Sequence, residues 1–245
     1  MLDVTGCRAK IERAKKHIAD FDAARAAFLD TNPYAVISQF NEEIGKTQFI
    51  IGQIPVIPDD LAVIAGDAAQ NLRSALDYLA NALRSSEAGV SRKTYFPIAE
   101  NRSKYESELS GKTQGIPQKA VEVFSQIEPY GGGKGDSLWA LHTINNADKH
   151  RLLVSVGTTI GHRGAQLQLS GEVTEFSVLL RSPGLKEGDV IGEVSDKTEG
   201  NHRIKYTFDI AFGEPEIIAG EIVVPTLQYF HNVVESIISY FESNF

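Results

Sequence analysis

The stretch from Leu138 to Arg151 carries the residue types of a metal-binding or acid–base site. It contains two imidazoles, His142 and His150, and between them the amide of Asn145 and the carboxylate of Asp148. Carboxylate and amide oxygens bind divalent cations, and imidazoles and carboxylates exchange protons near neutral pH. This set of side chains is compatible with either kind of chemistry.

Two of these polar residues fall on the apolar side of the segment when it is projected as a helix, at about 100° per residue. Leu138, Leu141 and Ile144 define that side. Asn145 projects between Leu138 and Leu141, and Asp148 projects between Leu141 and Ile144. A buried carboxylate is costly unless it is paired and hydrogen-bonded, so Asp148 is expected to meet a donor.

The polar residues between Leu138 and Arg151 have two interpretations, which differ in the donor that Asp148 meets. In the structural one, Arg73, Lys149 or backbone amides satisfy the carboxylate, which then ties the end of the helix. In the functional one, the segment faces Asp67 and Asn71 of an earlier helix and forms a site. The members of that site are His142, Asn145, Asp148 and His150. The two histidines splay on one helix and match no zinc motif, so a divalent metal is an open alternative and no other cofactor is predicted.

The earlier helix has its own row of polar side chains, at steps of four, three and four residues: Asp67, Asn71, Ser74 and Tyr78. The row projects mostly opposite the side rich in leucine and alanine, with Asn71 near the boundary. We interpret it as a solvent face or a contact with another element, and Arg73 with Asp77 as an exposed i,i+4 ion pair. The predicted polar cluster between helices comprises Asp67, Asn71, Arg73, Asn145 and Asp148.

The composition is that of an ordinary globular chain of 245 residues with a net charge of −8. This charge argues against a general nucleic-acid-binding protein, whose affinity for phosphate depends on clustered Lys and Arg. Cys7 is the single cysteine, and neither a signal-peptide pattern nor an apolar run of membrane-spanning length is present. We predict a cytoplasmic protein whose partner is another protein or a small molecule, with self-association left open.

Helical periodicity, caps and turn residues predict the elements of a helix-rich first part, residues 1–151. In order they are a helix over about Gly6–Leu29, hairpin strands Tyr34–Phe40 and Thr47–Ile54, a long helix from Pro58 to about Arg84, an edge strand Thr94–Ile98, and helices over Asn101–Leu109, Pro117–Ile127 and from Asp136 or Ser137. The glycine-rich stretch 131–135 lacks the residue order of a phosphate loop and is interpreted as a flexible linker.

A β-rich part, residues 152–213, follows. Runs of β-branched and aromatic residues between turns predict strands over Leu152–Ile160, Ala165–Val173, Phe176–Arg181, Asp189–Val194 and Ile204–Phe212. This spacing is typical of an antiparallel meander. A last helix, over 225–244, has an apolar side that the earlier helices can cover. The predicted fold is a single α+β unit, 1–245, in which a bundle of four or more helices packs with an antiparallel β-sheet and the C-terminal helix returns to the bundle.

Two stretches, 66–79 (GDAAQNLRSALDYL) and 138–152 (LWALHTINNADKHRL), resemble a family of uncharacterised bacterial proteins. Their order and separation match that family, and the resemblance covers about the first 155 residues. It implies a bacterial protein and no established activity. Members of the family often carry histidines at the positions of Gln70 and Tyr78, so a metal site that used those histidines would be lost in this chain.

Two functions are left open. One is a nuclease-like or other hydrolytic enzyme, of the kind found in toxin and phage-defence systems, that uses His142, Asp148 and His150. Helical ribonucleases of those systems carry an Arg followed four to six residues later by His, and Arg73 has no such histidine. The other is a non-catalytic binding or interaction protein in which the polar cluster locks helices together. The sequence favours the second, because each candidate residue has a structural explanation.

Overall fold

The computed structural model describes residues 2–84, 94–151, 156–168, 173–178, 185–196 and 203–245, and only the backbone of 149–151, 156–168, 173–178, 196 and 203–205. The chain divides into two units: unit 1 is Met1–Phe21, Ala62–Val154 and Val224–Phe245, and unit 2 is Asp22–Leu61 and Ser155–Val223. We predicted a single unit over 1–245. Whether the two units form one body stays a prediction. Within the described residues, no helix is both long and apolar enough to cross a membrane.

The α+β class predicted from the sequence is confirmed, with helices concentrated in unit 1 and antiparallel strands in unit 2. The elements are α1 Thr5–Asp30, β1 Ala35–Asn41, β2 Lys46–Gln53, α2 Asp59–Ala82, α3 Arg102–Lys112, α4 Gln118–Ile127, α5 Asp136–Arg151, β3 Val156–Gln168, β4 Val173–Val178, β5 Val190–Asp196, β6 Arg203–Phe212 and α6 Val223–Asn244.

The helices begin where their capping signals stand. Two acidic residues open α2 directly after Pro58, where they favour the positive end of the helix dipole. The side chain of Asn101 caps α3 by accepting a hydrogen bond from the backbone N–H of Lys104 at 2.9 Å. Pro117 precedes α4, a position at which its missing N–H costs no hydrogen bond.

The C-terminal helix packs within the bundle, as predicted. Phe241 of α6 contacts Phe124 of α4, with ring centroids 5.3 Å apart. At the other side of α6, Arg8 of α1 donates to Glu242 at 2.6 Å and to Ser239 at 2.9 Å. Because these contacts join distant parts of the chain, α6 holds the helices of unit 1 together.

The strands of unit 2 form two antiparallel sheets. One has the order β1-β2-β5-β4, and β3 pairs with β6 in the other. The predicted hairpin is present as β1 and β2, with Gly45 in the left-handed region at φ 64°. Its inner face supplies Phe49 and Ile51 to a core shared with Leu185, Ile191, Val194 and Tyr206.

Three local predictions differ from the structure. The turn expected between Ile160 and Ala165 is a register shift inside one long strand, β3. The edge strand expected at Thr94–Ile98 is absent, because this described segment makes isolated hydrogen bonds instead of a ladder. The stretch 131–135 is a hydrogen-bonded turn, in which Gly133 N–H donates to the Tyr130 carbonyl at 2.9 Å.

Candidate functional site

Arg73 of α2 is buried, with 7% of its surface exposed, and its guanidinium joins three parts of unit 1. Nη1 donates to Oδ1 of Asp77 at 2.6 Å, one turn along the same helix. Nε donates to Nδ1 of His142 on α5 at 3.1 Å, and Nη2 donates to the Phe96 carbonyl at 3.2 Å. The predicted ion pair with Asp77 is therefore present, but its predicted exposure is wrong for the arginine.

Asp77 also binds the backbone of the segment around Phe96. Its Oδ1 accepts the Phe96 backbone N–H at 3.1 Å, while Arg73 donates to the carbonyl of the same residue. Both backbone polar groups of Phe96 are thus satisfied by side chains of one helix. These two bonds hold the segment beside α2, where the predicted strand is not formed.

The proton positions on His142 follow from its two neighbours. Arginine keeps its protons, so Nδ1 must accept from Arg73 and the neutral ring carries its proton on Nε2. The side-chain amide of Asn146 lies 2.9 Å from Nε2. This amide must therefore turn its oxygen towards the ring, since the nitrogen would oppose one donor to another. The lone pair that a general base would need is the one that Arg73 occupies.

Asn145 is buried among the apolar residues of α5, as the helical projection predicts. It is 2% exposed, and Leu141 and Ile144 beside it are fully buried. Its Oδ1 has no hydrogen-bond partner among the described residues. An unpaired buried carbonyl is unfavourable by about 1–3 kcal/mol, so this amide lowers the stability of the helix packing.

Asp148 is partly buried and lies directly against the backbone of α2. A Cβ added to Gly66 would stand 2.6 Å from Cγ of Asp148 and closer still to its Oδ1. Glycine at position 66 therefore makes room for the carboxylate. Since Gly66 meets Asp148 while Arg73 meets His142, α2 and α5 run antiparallel along this contact.

Asn71 and Tyr78, from the polar row of α2, face α1 rather than α5. Oδ1 of Asn71 accepts from Nζ of Lys10 at 3.3 Å, and the same Nζ lies 5.9 Å from the centre of the Tyr78 ring. The Tyr78 ring also fills the space beside Gly6. Asp67 contributes its carbonyl, which accepts from Nδ2 of Asn71 at 2.8 Å. Asn71 and Tyr78 therefore contact another element, one of the two alternatives for this row, whereas the bond of Asp67 lies within α2.

The residues predicted as a site thus divide into separate groups. Arg73 and His142 are joined, Asp148 lies against Gly66, and Asn71 is turned towards α1. The side chain of His150 lies outside the described residues. Among the side chains that are described, no group of three or more His, Cys, Asp and Glu could hold a metal ion.

An open groove of about 350 Å³ lies elsewhere in unit 1, between the start of α5 and α6. Its lining includes Lys134, Ser137, Leu138, Tyr229, Asn232 and Val233. None of the predicted site residues is among the groups that line it. Sequence patterns gave no signal for this groove, because its two sides come from distant segments.

Sequence reasoning also missed the pairing of Arg73 with His142 and with the Phe96 carbonyl. Spacing within a helix reveals the Asp77 partner, but it carries no information about a backbone carbonyl. One signal for the pairing was available. Arg73 lies near the edge of the apolar side of α2, and His142 lies next to the apolar side of α5.

No protein-family model, curated protein or solved structure matches this chain. Its class is therefore defined by the fold and the cluster alone: an α+β protein whose helices α2 and α5 are joined through a buried arginine.

The unpaired carbonyl of Asn145 leads to a prediction. We expect Asn145→Leu to raise the free energy of unfolding by about 1 kcal/mol, because it replaces an unsatisfied buried polar group by an apolar one of similar size. Thermal and urea unfolding measure the change. Asn146→Leu is the matched control, and it should be destabilising because it removes the amide that meets Nε2 of His142. A loss of stability in Asn145→Leu equal to that in the control would contradict the assignment.

Proposed function

We propose that this protein is a non-catalytic binding or interaction protein whose polar cluster, built on a buried arginine, joins helices instead of turning over a substrate. The cluster is defined here as Arg73, Asp77, His142 and Asn146. The observation that carries the proposal is the buried guanidinium of Arg73, whose Nε, Nη1 and Nη2 all donate to groups of the protein itself.

The chemistry of His142 supports this proposal. A general base needs an accessible nitrogen lone pair within reach of a substrate proton. In His142 that lone pair accepts from a guanidinium that is permanently charged, and the opposite nitrogen meets Asn146. Using the ring as a base would require breaking a charge-assisted hydrogen bond and leaving Arg73 buried without that acceptor, which is unfavourable.

The thiol of Cys7, on α1, is another candidate reactive group that burial makes inert. Cys7 is buried, and burial raises its pKa to about 11. Because the thiolate is the nucleophilic form, this thiol is unreactive near neutral pH. A single cysteine cannot form an internal disulfide, which is compatible with a reducing compartment, and we propose the bacterial cytoplasm as the location and another protein or a small molecule as the partner.

Asp148→Ala tests the same structural role at the neighbouring contact of α5 with α2, where Asp148 lies against Gly66. We expect a decrease in melting temperature of about 4 °C, because the carboxylate contributes to the contact of α5 with α2. Glu122→Ala, which removes an exposed carboxylate of α4, is the control and should stay within about 1 °C. Differential scanning calorimetry of both variants gives the comparison.

The alternative enzyme is tested on the same proteins. Wild type is incubated with RNA and with DNA in the presence of Mg²⁺ or Mn²⁺, and both polymers should remain intact. Cleavage by wild type that disappears in an Asp148→Ala variant of unchanged melting temperature would overturn the proposal.

A further inference from the structure

The strand β1 forms one edge of the four-stranded sheet of unit 2. Within the described chain it pairs with β2 alone. It has seven residues, AVISQFN, without proline, lysine or any other charged side chain. Native edge strands usually carry such residues because an open edge invites pairing with another strand. Among the described residues, the register shift between Ala35 and Val36 is the one such protective feature of this edge.

The direction of the backbone groups of β1 follows from the next strand. Ile51 of β2 turns away from β1, since its N–H donates to the Asp189 carbonyl at 2.9 Å and its carbonyl accepts from Gly188 at 2.8 Å. Alternation along β2 then directs the polar groups of Ile50 towards its partner on β1, Ile37. On β1 itself, the groups of Val36, Ser38 and Phe40 consequently point outward from the sheet edge.

The same three residues lie on the core side of the sheet. Their partners on β2 are Ile51, Phe49 and Thr47, all of which are buried. Phe40 is nevertheless 44% exposed, because no strand continues the sheet beside it among the described residues. The apolar core of unit 2 thus reaches the open edge with an aromatic ring that remains uncovered.

A second copy of β1 is complementary to this edge. When two copies pair antiparallel about Ser38, each Val36 stands opposite a Phe40 of the other copy, and Ser38 faces Ser38. All residues whose backbone groups point outward are then hydrogen-bonded, and the core-side residues of both copies stay on one face. Aromatic and β-branched cross-strand pairs are favourable, and two such pairs form by symmetry.

Charge favours a neutral strand, such as a second copy of β1, over an acidic or basic segment at this edge. The whole chain has a net charge of −8, so copies repel each other in general. The strand β1 contains no charge, and its polar residues are Ser38, Gln39 and Asn41. Pairing through this strand brings no like charges into direct opposition at the new edge.

We infer that the protein forms a symmetric homodimer through β1, in which the two four-stranded sheets join into one continuous sheet of eight strands. The inference rests on the proposed function, because it identifies the partner of the proposed binding protein as a second copy of the same chain. The two fail separately, since a monomeric wild type overturns the dimer alone and metal-dependent cleavage of nucleic acid overturns the proposed function alone.

Sedimentation equilibrium of the full chain tests the dimer. Wild type should be dimeric at micromolar concentration, and Phe40→Lys should raise the dimer dissociation constant at least about tenfold, because it places a charge in the apolar cross-strand pair. The control is Val56→Lys, which adds the same charge at a side chain that is 90% exposed and outside β1. It should dimerise like wild type, and circular dichroism should show that both variants are folded.

Hydrogen exchange read by NMR locates the contact on the strand. The amides of Ser38 and Phe40 should become protected as the concentration rises, whereas those of Ile37 and Gln39, which face β2, should be protected throughout. The dimer is overturned by a monomeric wild type, by equal dissociation constants for Phe40→Lys and Val56→Lys, or by exchange at Ser38 and Phe40 that is independent of concentration.

Discussion

Arg73→Met is expected to lower the free energy of unfolding by about 3 kcal/mol, the largest effect of any single substitution proposed for this chain. The substitution keeps an unbranched side chain in the helix and removes the guanidinium. Asp77, His142 and the Phe96 carbonyl each lose a donor. The Asp77 carboxylate keeps the Phe96 N–H, and the Phe96 carbonyl keeps the Ile98 N–H at 2.9 Å. Partly buried acceptors that lose their donors account for the size of the effect. Urea unfolding followed by circular dichroism measures it.

A matched arginine elsewhere separates burial from simple pairing. Arg102 pairs with Glu106 one turn later on α3, with the arginine side chain 75% exposed, whereas the Arg73 side chain is 8% exposed. Arg102→Met should therefore cost far less than Arg73→Met, because exposed helical ion pairs contribute little to stability. Arg73→Lys should be intermediate, because an ammonium keeps the charge and cannot reach three acceptors in the geometry of a guanidinium. Equal losses in Arg73→Met and Arg102→Met would show that the buried network has no special role.

The helical part of the fold was predictable because its signals are local. Asn101 and Pro117 determine where α3 and α4 begin, and both signals operate within one turn. Periodicity also predicted the burial of Asn145, since an amide that projects between leucines must follow them into the core. Predictions of this kind need only the residues of one element.

The β-rich part was less predictable for the opposite reason. The pairing of β2 with β5 joins residues that are far apart in the sequence, and no local pattern specifies which strands become neighbours. The four residues between Ile160 and Ala165, which resemble a turn, are accommodated as a register shift because β6 continues to pair on both sides of them.

The predicted polar cluster and the one that the structure shows share Arg73, and the contacts of Arg73 with His142 and Phe96 were not predicted. The sequence indicated that Asp148 needs a donor and offered Arg73, yet Arg73 is engaged by His142, Asp77 and Phe96. The decisive acceptor is a backbone carbonyl, and every residue has one. Its selection depends on tertiary packing of the segment around Phe96 against α2, which leaves no mark on the residue types.

The close approach of α2 and α5 leads to the second large effect, in Gly66→Ala. Within an exposed helix this change is stabilising by up to about 1 kcal/mol, because alanine is the better helix former. At position 66 the new methyl group would stand 2.6 Å from Cγ of Asp148. Either the carboxylate rotates away from its present contacts or the two helices separate, and we expect a net loss of about 2 kcal/mol in the free energy of unfolding.

A double-mutant cycle with Asp148→Ala identifies the source of that loss. Removing the carboxylate removes the clash, so Gly66→Ala should be neutral or stabilising in the Asp148→Ala background, with a coupling energy of about 2–3 kcal/mol.

The matched glycine is Gly111 of α3, where an added Cβ would meet nothing within 4 Å. Gly111→Ala should be neutral or stabilising and should not couple to Asp148→Ala. If Gly66→Ala were as stable as Gly111→Ala, the contact of Asp148 with the α2 backbone would be disproved. If the coupling is found, glycine at position 66 is required because α5 presents a carboxylate to it, and the identities of the two residues depend on each other.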